Sequence, residues 1–170
     1  YNNVQFTDGK TIRFALSADN VRLDPGKDYK DLRVIDLFDP NTLDIDFNYL
    51  DQYFDKNNTR LYAPWYKSYE VIENYHNSGR SALIIHLDQK EFIKRSLETG
   101  GQVRLPFIYT KLKGKADGGT FTNHIYMAGE GLWDLETANP NKVAVDSYDL
   151  NNNGSTTDKI PHAESNYTIV

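Results

Sequence analysis

The sequence predicts a mainly β chain, an antiparallel β-sandwich of immunoglobulin-like or jelly-roll type with one or two short helices. Three observations carry that expectation. Alternating patterns at 11–16, 103–109 and 142–148 give each segment one face for a core. Asp outnumbers Glu by 17 to 7 and Asn reaches 16, a balance that favours turns and caps over helix interiors. Twelve Tyr and eight Phe suit pleated, half-buried strands.

Val4 and Phe6 mark a first short strand, and Thr7-Asp8-Gly9-Lys10 reads as a hairpin turn into a second, where Ile12, Phe14 and Leu16 share a face. Val21-Arg22-Leu23 continues the meander up to Asp24-Pro25-Gly26, where proline presets φ and glycine permits a positive one. Leu32–Phe38 is a further apolar run, stopped at Asp39-Pro40-Asn41. Residues 41–58 read as a short strand through Leu43 and Ile45, followed by a helical turn. Tyr69–Tyr75 and Ser81–Leu87 are strands joined by Asn77-Ser78-Gly79. Asp88 with Glu91 three residues on has capping-box spacing. The helix it opens runs from Gln89 to about Leu97, buries Phe92, Ile93 and Leu97, and ends at Gly100. Beyond Gln102 the texture is β throughout. One strand covers 103–109 with Pro106 pushing it towards an edge, a basic glycine-rich hairpin covers 113–119, and a return strand covers 121–127. Lys142–Tyr148 is another strand, and Tyr167 begins a last one.

One β-rich domain is therefore expected over 1–165, with a weak sub-boundary near Gly100-Gly101. Residues 166–170 are expected to start a strand or a linker towards a following module. The chain opens at Tyr1 without a signal-peptide pattern and reads as a piece of a longer protein. No apolar run approaches the ~18 residues of a membrane span, so membrane insertion by a helix is not expected. A net charge of −5 argues against a nucleic-acid partner, which calls for a basic face. The absence of cysteine removes disulfides, thiolate metal sites and cysteine nucleophiles.

The sharpest local motif is Asp149-Leu150-Asn151-Asn152-Asn153-Gly154, with a further carboxylate at Asp158. Oxygen-bearing side chains at alternate positions ahead of a glycine open a calcium loop, so Asp149, Asn151, Asn153 and Asp158 are candidate calcium ligands. Ile160 stands where an EF-hand has its bidentate glutamate, which limits any affinity to the weak extracellular range. The same residues also read as a polar turn with no metal. Six aspartates between Asp36 and Asp55 read either as a second cation cluster or as turn and surface residues. His76, His86, His124 and His162 show none of the helical spacings of a metal enzyme, and no nucleophile elbow or phosphate loop occurs, so an enzyme is not expected. Trp65 and Tyr66, in Tyr62-Ala63-Pro64-Trp65-Tyr66, and Trp133 are candidate ligand-stacking rings, with core packing as the alternative.

Residues 102–170 resemble modules of Gram-positive cell-wall-anchored surface proteins, the large adhesins of lactic-acid bacteria, streptococci and their relatives. The likeness rests on Val103-Arg104-Leu105-Pro106-Phe107-Ile108-Tyr109, Gly118-Gly119-Thr120-Phe121-Thr122-Asn123 and Val145-Asp146-Ser147-Tyr148-Asp149-Leu150-Asn151-Asn152-Asn153-Gly154. Residues 1–100 resemble no family. The resemblance implies an extracellular, wall-attached stalk or binding domain with neighbouring modules in the same chain and a calcium-bearing junction near its end. Two functions follow. One is a non-catalytic adhesin module that recognises a surface glycan or an extracellular matrix protein. The other is an ancillary carbohydrate-binding domain of a secreted carbohydrate-active enzyme, which requires Trp65 or Trp133 to be exposed.

Overall fold

The computed structural model describes residues 4–6, 9–19, 23–113, 119–130, 132 and 142–169. The strands are β1 (Val4–Phe6), β2 (Thr11–Phe14), β3 (Ser17–Asp19), β4 (Arg33–Phe38), β5 (Leu43–Ile45), β6 (Tyr66–Ile72), β7 (Ser81–Leu87), β8 (Gln102–Arg104), β9 (Ile108–Leu112), β10 (Thr120–Ala128), β11 (Val143–Val145) and β12 (Lys159–Ile169). Two α-helices accompany them, α1 (Phe47–Asp51) and α2 (Gln89–Thr99). The chain is mainly β with antiparallel sheets, as its alternating patterns predict.

A large sheet runs in the order β1-β12-β10-β4-β7-β6, with β11 also on β12. Two smaller sheets, β2-β9-β5 and β3-β8, pack over one of its faces. From Thr11 to Asp19 every second residue turns inward, placing Ile12, Phe14, Leu16 and Ala18 in the core between the layers. The large sheet answers with Val34, Phe38, Leu83, Ile85, Met127 and Tyr167. Its other face carries a second apolar cluster of Ile35, Leu37, Tyr75, Ala82, Ile84, Leu150 and Ile160. All six residues of β4 are buried because it has cover on both faces.

Helix α2 follows its sequence signals. The Asp88 side chain accepts from the Glu91 N–H at 3.1 Å, and Gly100 ends the helix at φ 72°. Its buried stripe is Phe92, Ile93 and Ser96, however. Leu97, expected inside, is 67% exposed because it lies about 100° round the axis from Ser96. The β5–α1 unit and β7 also stand where expected, with the Asp46 side chain accepting from the Tyr49 N–H at 3.0 Å, whereas the strand expected over Tyr69–Tyr75 lies three residues earlier, at Tyr66–Ile72, and Tyr75 opens a 3-10 turn.

Long-range pairing departs from the sequence reading. The expected first hairpin does not form, because β1 lies parallel to β12 in the large sheet while β2 pairs with β9 in a small one. The segment 103–109 is two strands. Pro106 lacks an N–H for a ladder, and the chain changes partner around it, from β3 to β2. The second expected hairpin connects different sheets, β9 against β2 and β5, β10 against β12 and β4. Strand β11 stops at Val145, where Asp146 begins a turn. The last strand starts at Lys159, so residues 166–169 belong to its second half, between β1 and β10. The expected continuation at Val21-Arg22 lies outside the described residues.

Candidate functional site

The structure brings the four predicted calcium ligands into one turn. Asp149 caps it, accepting the Asn153 and Gly154 backbone N–H groups at 3.1 Å each. Asn151 is fully buried, and its Nδ2 donates to the Leu132 carbonyl at 2.9 Å and to Asp158 at 3.4 Å. Asn153 also donates its amide to Asp158. Asp149 and Asn152 take positive φ, which short polar side chains tolerate, and Gly154 takes φ 84°. The organising residue was not singled out in sequence. Asp146 is buried and accepts the Leu150 and Asn151 N–H groups at 2.6 and 3.1 Å. Burial pushes its carboxyl upward, against those two donors and with the charges of Asp149 and Asp158. Asn151 Oδ1 is buried without a hydrogen-bond partner among the described residues.

Trp65 and Tyr66 are buried. They are 7% and 4% exposed, and both donate to the Arg104 carbonyl, at 2.9 and 3.0 Å. The Arg104 guanidinium lies over both rings and donates onward to the Leu61 and Tyr62 carbonyls. A bulky ring with one polar handle packs well where a buried carbonyl needs a donor. Trp133 lies outside the described residues. Phe47, Tyr49, Phe54, Tyr69 and Tyr109 are among the half-exposed rings. Phe47 stacks on Tyr69 with centroids 6.0 Å apart, and Tyr49 leans on Tyr109 at 4.2 Å. Tyr69 donates its hydroxyl to Asp51 at 2.5 Å, and burial together with that carboxylate lifts the phenol to about 12.

The run from Asp36 to Asp55 is no cluster. Asp39, Asp46 and Asp55 accept backbone N–H groups in turns and a cap, Asp51 holds Tyr69, and Asp36 lies in the core. Asn123 Nδ2 donates to Asp36 Oδ2 at 3.1 Å, while Asp36 Oδ1 and Asn123 Oδ1 find no partner among the described residues. Burial raises the Asp36 carboxyl from 3.8 to about 7, against Asn123 and the Arg80 charge. A proton on Asp36 turns a carboxylate oxygen from an acceptor into a donor.

Two constellations of histidine and carboxylate lie on the large sheet. His86 bridges Asp31 Oδ1 at 2.5 Å and Glu70 Oε2 at 2.6 Å. His124 and His162, on neighbouring strands, place ring nitrogens 3.0 Å apart with Glu164 beside them. Burial pushes both imidazoles below the ordinary histidine value. The Arg80 and His162 charges add to this at His124, and Glu164 opposes it at both rings. Helical spacings do not reveal this group, since on strands the relevant spacing is two residues plus a cross-strand partner.

Among the described residues no helix is long and apolar enough to cross a membrane. Compared with known proteins, the chain matches no family model, no curated protein and no solved structure.

Proposed function

We propose that this chain is a non-catalytic binding module of an exported bacterial surface protein of the adhesin class, held at the cell wall through its parent protein. The observation that carries the reading is two pairs of half-exposed rings, Phe47 with Tyr69 and Tyr49 with Tyr109, mounted on α1, β6 and β9. Flat rings stack on sugars or extended peptides with little loss of rotamer entropy, and neighbours already fix these. The exposed Asp44, Asp46 and Asp51 around them offer acceptors to hydroxyl-rich ligands. Sequence resemblance supplies the surface setting. An array of glycans and extracellular matrix proteins tests the reading: wild type captures a ligand, and Tyr49→Ala or Tyr109→Ala loses it. Hydrolysis of a polysaccharide panel that disappears when one carboxylate is replaced contradicts it.

The reading extends to calcium at Asp149, Asn151, Asn153 and Asp158. Its support is the convergence of both asparagine amides on Asp158 and the unpartnered Asn151 Oδ1. Turning the Asn153 amide about its last torsion exchanges N–H for C=O, which changes a carboxylate donor into a cation ligand, while the same turn at Asn151 gives up its bond to the Leu132 carbonyl. Calcium at millimolar concentration then raises the melting temperature above that in chelator, and Asp149→Ala abolishes the difference. Equal melting of wild type in both media contradicts this part.

A further inference from the structure

The outward face of the β10–β12 pair carries a polar ladder. Thr122 lies opposite Asn166, His124 opposite Glu164, and Tyr126 opposite His162. Because side chains on a strand repeat every two residues, His162 and Glu164 share that face, and His124 meets both from across the ladder. His124 Nδ1 stands 3.0 Å from His162 Nε2 and 3.7 Å from Glu164 Oε2. All three ligand atoms lie within 4.8 Å of one another, and all three residues are half-buried.

We propose that His124, His162 and Glu164 bind one divalent transition metal of the zinc class, with solvent completing its coordination. Zinc bonds imidazole nitrogen and carboxylate oxygen at about 2.0–2.2 Å, which sets ligand atoms in a tetrahedron about 3.3 Å apart. The two distances from His124 straddle that edge, and His162 and Glu164, which lie within 4.8 Å of each other, close on the ion by turning their side chains. The rings are held in place: His124 and His162 meet nitrogen to nitrogen with centroids 5.3 Å apart, and the Tyr126 ring lies 4.8 Å from that of His162. Two imidazoles and one carboxylate suit zinc, copper or nickel. They do not suit calcium, which takes six to eight oxygens, or magnesium, which keeps an octahedral oxygen shell. The Arg80 guanidinium, anchored on the Leu37 carbonyl at 3.0 Å, is the nearby cation that disfavours a metal, and the Glu164 carboxylate offsets it. Bound there, the metal ties β10 to β12 in the large sheet and keeps a solvent-facing position open.

Calorimetric titration of the tag-free full chain with zinc alone tests the site. Wild type takes up one zinc per chain, and calcium and magnesium give no comparable binding at the same place. His124→Ala and His162→Ala each weaken zinc by about tenfold or more, Glu164→Gln weakens it less, and His86→Ala leaves it unchanged. Circular dichroism establishes that each variant folds, and His162→Gln serves where alanine does not. Absence of zinc binding by wild type overturns the proposal. So does binding that survives His162→Ala or disappears in a folded His86→Ala, because the ion then sits elsewhere.

Discussion

Asn123 and His124 are consecutive residues of β10, yet they point to opposite faces of the large sheet and meet opposite fates. Asn123 enters the sealed core and pairs with Asp36, where both side chains are almost wholly buried. His124 meets His162 and Glu164 on a face where all three keep some exposure. In the closed layer, the cheapest remedy for an oxygen without a donor is a proton, and the Asp36 carboxyl is lifted to about 7 accordingly. On the open face, water or an ion can complete the shell. The same strand thus makes a proton-holding pair and a candidate metal site one residue apart.

The largest expected effect comes from the sealed side. The folded-state value for Asp36 lies above its unfolded one, so its stabilising contribution is complete below about pH 4. It is lost as pH rises through about 7. Ionised Asp36 then costs roughly 4 kcal/mol. Asp36→Asn is neutral throughout and can exchange amide hydrogen bonds with Asn123. Denaturant unfolding at pH 8 should show a gain approaching that size, with the pH 4–7 slope flattened; unchanged stability and slope break the comparison.

Second in size is the open side. A hundredfold excess of zinc over its dissociation constant stabilises the fold by about 2.7 kcal/mol, read as a rise in melting temperature that His162→Ala abolishes. Next comes Asn123→Ala, which removes the donor facing Asp36 and should cost about 1–3 kcal/mol in denaturant unfolding at pH 5. The smallest effect is expected for Thr122→Val on the outer face. It deletes the 2.7 Å hydrogen bond from Thr122 to Asn166, for which water substitutes, and should change stability by no more than about 0.5 kcal/mol. A larger loss at Thr122 than at Asn123 would reverse the assignment of open and sealed faces.

Local features were legible in the sequence, and pairings across distance were not. Helix α2 announced itself through Asp88, Glu91 and Gly100, because capping and left-handed termination involve residues a few positions apart. The partner of β1 is β12, more than 150 residues away, and no local pattern encodes that choice. The Asp149–Asp158 turn was visible as spacing, whereas Asp146, which organises it, looked like one more residue in a strand. Trp65 and Tyr66 misled because an aromatic run says nothing of the Arg104 carbonyl that takes both donors. His124 and His162 lay 38 residues apart, and only the β10–β12 register makes them neighbours. The one signal present was His162-Ala163-Glu164, a spacing of two that matters on a strand and not on a helix.

The most direct test is one NMR titration with zinc at pH 8, following the His124 and His162 ring carbons together with the Asp36 carboxyl and the Asn123 amide. The predicted result is that both histidine rings shift until one equivalent of zinc is bound, while Asp36 and Asn123, on the sealed face, stay where they were. Silent histidine rings, or a response at Asp36 and Asn123 in their place, would contradict the account.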